Sequence, residues 1–296
     1  MRKLSDAIED NALMRRTKKL VAPALLAAAA CAPFGTTLHA KDKPTKEARD
    51  VVAKKVDEST RLGSDKGSND VLSPALEAAR AARETVRQMP GYSTTFIKQE
   101  ETRKGLIRQV LKVKFRREPF SVYLKFIEPH EGREVLFVEG KNKGKLQVHE
   151  PSGLASLAGT LSLSPTGDEA MKENRYPVSM FGMEKLMDAV ILQWEGELKH
   201  PESEVKQFPQ AKVGDYECRM FEVVHPKERS HFKFQTTRLF IDKKSGLPVR
   251  LEQYGFPSKA GEVAPLVEEY TYTEIKVETK LSELDFDIKN QSYGFK

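Results

Sequence analysis

Carboxylates are the first residues in this chain whose type and spacing suggest chemistry. Glu100-Glu101, Glu131 with Glu134, and Glu268-Glu269 are the groups that a glycosidase pairs as acid and base. Neighbouring residues on a strand point to opposite faces, so the adjacent pairs cannot converge within themselves. A pair drawn from distant strands stays open. Of six histidines, five lie beyond residue 40 (His130, His149, His200, His225 and His231), near turns or strand ends and without the spacing of a metal centre. His225 and His231 flank the charged stretch Pro226 to Ser230, which reads as a solvated hairpin end. There is no Gly-x-Ser-x-Gly elbow, Walker loop, Gly-x-Gly-x-x-Gly or His-Glu-x-x-His, the motifs that would mark the commoner catalytic folds. The sequence therefore points to no catalytic residue, metal or cofactor, and a hydrolase is the third of three readings.

The two cysteines separate in role. Cys218, between Glu217 and Arg219 in an alternating stretch, reads as a buried small hydrophobe. Cys31 follows Ala28-Ala29-Ala30, a degenerate form of the small-residue box that precedes a lipidated cysteine. Soluble release and tethering through Cys31 both stay open. The basic segment Lys112, Lys114, Arg116 and Arg117, interleaved with Phe115 and Phe120, has the composition of a base-stacking surface. A simpler reading puts Leu111, Val113 and Phe115 on one face and Lys112, Lys114 and Arg116 on a solvated one, with no nucleic acid involved.

These residues must be carried by a chain of 296 residues, 39% hydrophobic and 31% charged, enough apolar matter for a real core. Six Lys/Arg and three Asp/Glu fall in residues 1–40, so the +6 formal charge drops to +3 (43 against 40) beyond them; that balance argues against a nucleic-acid partner. Arg15, Arg16, Lys18 and Lys19 precede an apolar run from Leu20 to Gly35, and Leu38-His39-Ala40 precedes Lys41. Residues 1–40 are thus expected to be a signal peptide directing export to the periplasm or beyond. Residues 41–70 are Lys/Glu/Asp/Ser/Gly-rich and read as a flexible stem with a span on the order of 30 Å.

Ser73-Pro74 is expected to open a helix reaching about Met89, with Ser73 as cap, and Pro90-Gly91 to stop it. From Gly91 the hydrophobic period becomes two, and strands are expected near 92–101, 106–117, 120–127, 133–139, 145–149, 216–225, 233–242, 248–255 and 267–278. Residues 153–167 read as a mobile loop. After Tyr176-Pro177 a second helix is expected to carry Met180, Met183, Met187, Val190 and Trp194 as one stripe.

The blocks Phe115 to Phe126, Gly132-Arg133-Glu134-Val135, Gly140 to His149, Val224-His225-Pro226, Arg238 to Asp242, Gly246 to Arg250, Glu268 to Tyr272 and Asp285-Phe286-Asp287 resemble the bacterial domain of unknown function 1571. The resemblance covers roughly 75–296. That family in turn resembles the LolA/LolB superfamily of lipoprotein carriers. This implies an α+β fold for residues 71–296: a strongly curved antiparallel sheet forming an incomplete half-barrel, covered by helices, with a helical lid insertion at about 150–200. The resemblance further implies acyl chains held in an apolar cavity, and an arginine near the barrel mouth, Arg116 or Arg117, that regulates opening.

With Ile107, the residues Leu111, Val113 and Phe115 share one parity, and Phe120, Val122, Leu124 and Phe126 another. They are the expected cavity lining, although a filled core would leave the same pattern. Met180, Met183, Met187 and Trp194 are the expected lid, since thioethers repack around varied apolar shapes. The leading expectation is a non-enzymatic exported carrier of a lipid or lipoprotein acyl chain, with peripheral or tethered membrane association. An envelope scaffold with a solid barrel and protein partners is the alternative.

Overall fold

The computed structural model describes residues 71–259, 261–278 and 281–296; the expected signal peptide, the expected stem and Cys31 lie outside them. Eleven strands form one sheet. The N-terminal six are β1 (Gly91–Thr102), β2 (Gly105–Arg116), β3 (Ser121–Glu128), β4 (Glu134–Val138), β5 (Leu146–His149) and β6 (Thr160–Leu163). The C-terminal five are β7 (Glu204–Val213), β8 (Tyr216–Val224), β9 (Thr236–Asp242), β10 (Pro248–Tyr254) and β11 (Leu266–Val277). Three α-helices accompany them among the described residues: α1 (Ser73–Arg87), α2 (Asp168–Met171) and α3 (Met183–Glu197).

The spatial order β6-β5-β4-β3-β2-β1-β11-β10-β9-β8-β7 describes two antiparallel meanders joined where β1 pairs with β11. The edges β6 and β7 do not meet, so the sheet is an open half-barrel. Register shifts in β1/β11, β2/β3, β10/β11 and β9/β10 supply the extra twist that bends a broad sheet.

Two strands go beyond the sequence reading. β6 lies within the stretch expected to be a mobile loop, and β7 within one left unassigned. β7 contains Pro209 beside a register shift between Phe208 and Ala211. A proline lacks the N–H needed by an interior strand and is tolerated at an edge, where β7 sits.

One face of the sheet is concave and apolar. Across β2 and β3, Leu111 pairs with Phe126, Val113 with Leu124 and Phe115 with Val122. β1 adds Tyr92 and Phe96, and β11 adds Tyr270 and Tyr272, to the same core cluster. α1 contributes Leu76 and Val86 together with Ala75, Ala79 and Ala82, and the three alanines allow close approach. Leu72, rather than Ser73, occupies its N-cap, with no side-chain bond, while Pro74 falls in the first turn as expected.

α3 lies antiparallel to α1, because their ion pairs run in opposite chain directions: Arg80 to Glu195 at 2.7 Å, Arg83 to Asp188 at 3.4 Å and Arg87 to Glu184 at 2.8 Å. Such partly exposed pairs fix orientation while contributing about 0.2–1 kcal/mol each. The convex face is covered differently: residues 281–296 lay Leu281, Phe286, Ile288, Tyr293 and Phe295 over Tyr123, Leu136 and Val138.

α3 enters through Gly182 at φ +111°, where an added Cβ would stand 3.0 Å from the Phe115 ring and 3.4 Å from the Tyr92 hydroxyl. That hydroxyl accepts the Met183 backbone N–H at 3.2 Å. Only glycine holds this backbone conformation without strain. Gly182→Ala is expected to reduce stability by on the order of 2–3 kcal/mol, read in a urea titration from Trp194, the one tryptophan of the chain. A loss below about 0.5 kcal/mol contradicts the close packing at this entry.

Candidate functional site

The residues expected to line a cavity come together. Leu111, Val113, Phe115, Val122 and Phe126 are buried in one cluster with Met183, Met187 and Trp194, and Phe120 and Leu124 are partly buried against it. Aromatic rings organise the wall: Tyr92 stacks on Phe115 at 4.8 Å, Phe120 meets Phe115 edge-on at 5.6 Å, and Phe96 meets Phe181 edge-on at 5.2 Å. Met183, Met187 and Trp194 are each 0% exposed, so the lid stripe sits on the wall and occupies its concavity. Met180 departs from the expected stripe. It lies in the short turn Val178–Met180, ahead of the helix and separated from it by Gly182, and is half-buried. The turn ends the stripe because Gly182 breaks the helical path.

The two arginines separate by parity. Arg116 points to the convex face, where its guanidinium lies 4.7 Å from the Phe286 ring centre, donates to Ser121 Oγ at 3.1 Å and pairs with Glu283. It anchors the C-terminal segment and is remote in orientation from the concave wall. Arg117 is on the helix side: its Nη2 donates to the Val86 carbonyl at 3.0 Å, in the last turn of α1, and lies 3.6 Å from Glu184 in the first turn of α3. One side chain therefore bridges both helices. Lys112 and Lys114 face outward as expected, but are paired with Glu274 and Asp285, both at 2.7 Å. They border a hollow of roughly 530 Å³ on the outer face, with Ser93, Thr95, Tyr123 and Lys125. No helix among the described residues is long and apolar enough to cross a membrane.

At the far end of the concave face the lining becomes ionic. Glu100 and Glu268 are direct partners across β1 and β11, 4% and 3% exposed; they are a carboxylate pair assembled from separate strands. Glu100 accepts from Tyr270 Oη at 2.7 Å, Lys98 Nζ at 3.0 Å and the Arg175 backbone N–H at 3.0 Å. Glu268 accepts from Arg175 Nε at 3.0 Å and Tyr176 Oη at 2.9 Å. Lys98 also donates to Asn174. Burial holds the Glu268 carboxyl above the usual carboxylate range, against the pull of Lys233 and Arg175, and burial likewise raises the Tyr270 phenol. With both carboxylates engaged and enclosed, the cluster ties residues 174–176 to the sheet and offers no free acid or base to a substrate. Parity could have located it: residues 96, 98 and 100, like 268, 270 and 272, share the concave face, whereas pairing of the two strands is a long-range fact.

A second buried group lies beyond the end of α3. Ser203 Oγ is 3.1 Å from His225 Nδ1, and His225 Nε2 is 3.3 Å from Glu197 Oε2. Hydroxyl, imidazole and carboxylate stand in the order of an acyl-transfer relay. However, His225 is stacked on Phe232 at 3.8 Å, and all three residues are buried, which leaves no approach for a carbonyl. His225 is thus a core residue, contrary to the solvated hairpin end expected for it. Cys218 is 0% exposed, and burial pushes its thiol up to about 11, the inert state expected of it.

Because Glu268 holds its proton more tightly when folded, its contribution to stability is full below the ordinary carboxylate range and fades as pH rises through the raised folded value. Glu268→Gln fixes the neutral form. The stability of wild type relative to Glu268→Gln is therefore expected to fall as pH rises from the ordinary carboxylate range, about pH 4, to neutrality, followed by urea titration. A wild-type advantage that grows over this interval contradicts the assignment.

Comparison with solved structures finds distant likenesses. MucB shares 14% identity at a TM-score of 0.42, over 73% of this chain and 62% of the MucB chain, so the present chain spans less than two thirds of that protein. A putative outer membrane lipoprotein-sorting protein domain from Vibrio parahaemolyticus shares 11% identity at a TM-score of 0.33, over 72% and 95% of the two chains. The Mycobacterium tuberculosis lipoprotein LppX shares 11% identity at a TM-score of 0.40, over 71% and 99%. No curated protein sequence matches. The sequence model of the family described as protein of unknown function DUF1571 matches residues 89–295, and the chain belongs to that family.

Proposed function

We propose that this protein is an exported, non-enzymatic binding protein. It would accept a lipid or lipoprotein acyl chain on the concave wall of the half-barrel when its own helices give way. The observation that carries the reading is the contact of the Met183, Met187 and Trp194 stripe with the Leu111, Val113, Phe115, Val122 and Phe126 wall. Acyl burial is worth about 0.8 kcal/mol per methylene, or about 12 kcal/mol for a sixteen-carbon chain. An acyl chain replacing the stripe exchanges one apolar cover for another, so the wall stays dry in both states. Methionine suits both roles because its unbranched thioether repacks.

The polar ties that hold the helices closed are modest. They are the partly exposed ion pairs between α1 and α3, together with Arg117 across both helices. Arg117 is accordingly the gating residue of this proposal, and Arg116 is assigned to the convex face. The apolar run from Leu20 to Gly35 after a basic cluster supports export, with soluble release and tethering through Cys31 both compatible with the proposal. The enclosed carboxylates at Glu100 and Glu268 favour binding over hydrolysis. The complete burial of Met183, Met187 and Trp194 also favours a second reading, in which the interior is permanently solid and the protein is an envelope scaffold.

Uptake of an acyl-chain fluorophore by delipidated protein, combined with native mass spectrometry of the untreated protein, separates the two. Wild type is expected to bind one acyl chain, and Arg117→Ala, which frees both helix ends, to bind it roughly tenfold more tightly, equivalent to about 1.4 kcal/mol. No co-purifying lipid, and no uptake by either form, overturns the carrier reading in favour of the scaffold.

A further inference from the structure

The end of α3 and the hairpin between β8 and β9 bring together a donor set unused by the proposed binding function. We infer that His200, Glu202 and His231 form a site for a divalent transition metal of the zinc class. One ligand atom from each lies within 4.8 Å of the others. Two imidazoles and one carboxylate are a zinc-type donor set, and an external ligand would complete four-coordination. Glu202 and His231 are exposed and His200 is half-buried, so that fourth position faces solvent.

Each donor is already oriented. His200 follows the helix end, where its backbone N–H donates to the Glu197 carbonyl at 2.9 Å. Arg229 Nε donates to Glu202 Oε1 at 3.3 Å, leaving Oε2 turned toward His231 Nε2 at 3.7 Å. The His200 and His231 rings are stacked with centroids 3.5 Å apart and planes at 15°, and His231 meets Phe232 at 4.3 Å. Metal–nitrogen bonds of about 2.0–2.1 Å lie in the imidazole plane, so the stacked rings must turn out of their parallel arrangement for the three donors to meet on one ion, a movement that the exposure of Glu202 and His231 permits.

The buried Ser203, His225 and Glu197 group gives the site its rigidity. It joins the segment carrying His200 and Glu202 to the hairpin carrying His231, at 3.1 and 3.3 Å. The two halves of the donor set are therefore held opposite one another before any ion arrives, which reduces the ordering cost of binding.

Full-length, tag-free protein stripped with chelator tests this. Calorimetry with zinc chloride is expected to show one equivalent bound, with a rise of several degrees in Tm, and cobalt(II) to give the visible d–d absorption of a four-coordinate ion. His200→Ala and His231→Ala are expected to weaken zinc binding at least about tenfold while keeping the metal-free Tm. Glu202→Gln, a milder change, is expected to weaken it and alter the cobalt spectrum. Magnesium should give no shift. Absence of binding at about 1 mM zinc, or wild-type affinity in the histidine variants and in Glu202→Gln, overturns the site.

Discussion

A sheet bent this far has one face that water must not reach, and the contact between that face and α3 is what the rest of the structure serves. Leu111, Val113 and Phe115 on β2 meet Phe126, Leu124 and Val122 on β3, and Met183, Met187 and Trp194 close over the resulting apolar wall without exposing any of their own surface. Hydrophobic burial is non-directional, so further devices must set where the helix sits. Gly182 and the Tyr92 hydroxyl fix its entry; Arg117 and the antiparallel ion pairs fix its orientation. The ionic cluster around Glu100 and Glu268 fixes the segment that leads into it.

The division of labour between adjacent arginines follows from strand alternation. At the end of β2, Arg116 is delivered to the convex face and Arg117 to the helices. The first joins the sheet to the C-terminal segment through Glu283 and Phe286, the second joins the helices to each other. The same alternation accounts for the lysines of β2, which face outward to Glu274 and Asp285 while their neighbours build the wall. Charge on this strand is therefore structural ion pairing on the outer surface.

Local periodicity made much of this legible. The strands from β1 to β5, the parity of the β2 and β3 linings, the position of α1 and the inert Cys218 all follow from patterns within a dozen residues, and family resemblance supplied the half-barrel. β6 escaped because four residues among small and polar neighbours carry little alternation, and β7 because Pro209 argues against a strand anywhere but at an edge. Spacing alone puts Met180 on the helix, because it does not register the break at Gly182. What no local pattern carries is convergence. Glu100 finds Glu268, and His225 finds Ser203 and Glu197, because distant strands and a helix end pack together. Strand alternation separates Glu100 from Glu101 and Glu268 from Glu269, and leaves open a pair from strands more than a hundred residues apart, which is the pair that forms.

The central proposal is that the wall now covered by α3 is the surface an acyl chain would occupy, and Trp194 stands at that boundary as its own reporter. Titrating the protein with a fatty acid brominated along its chain measures this directly, since bromine quenches tryptophan only at close range. Saturable quenching of Trp194, reversed by the unbrominated acid, is the result the account predicts. Emission that stays unquenched and shielded throughout the titration would contradict it.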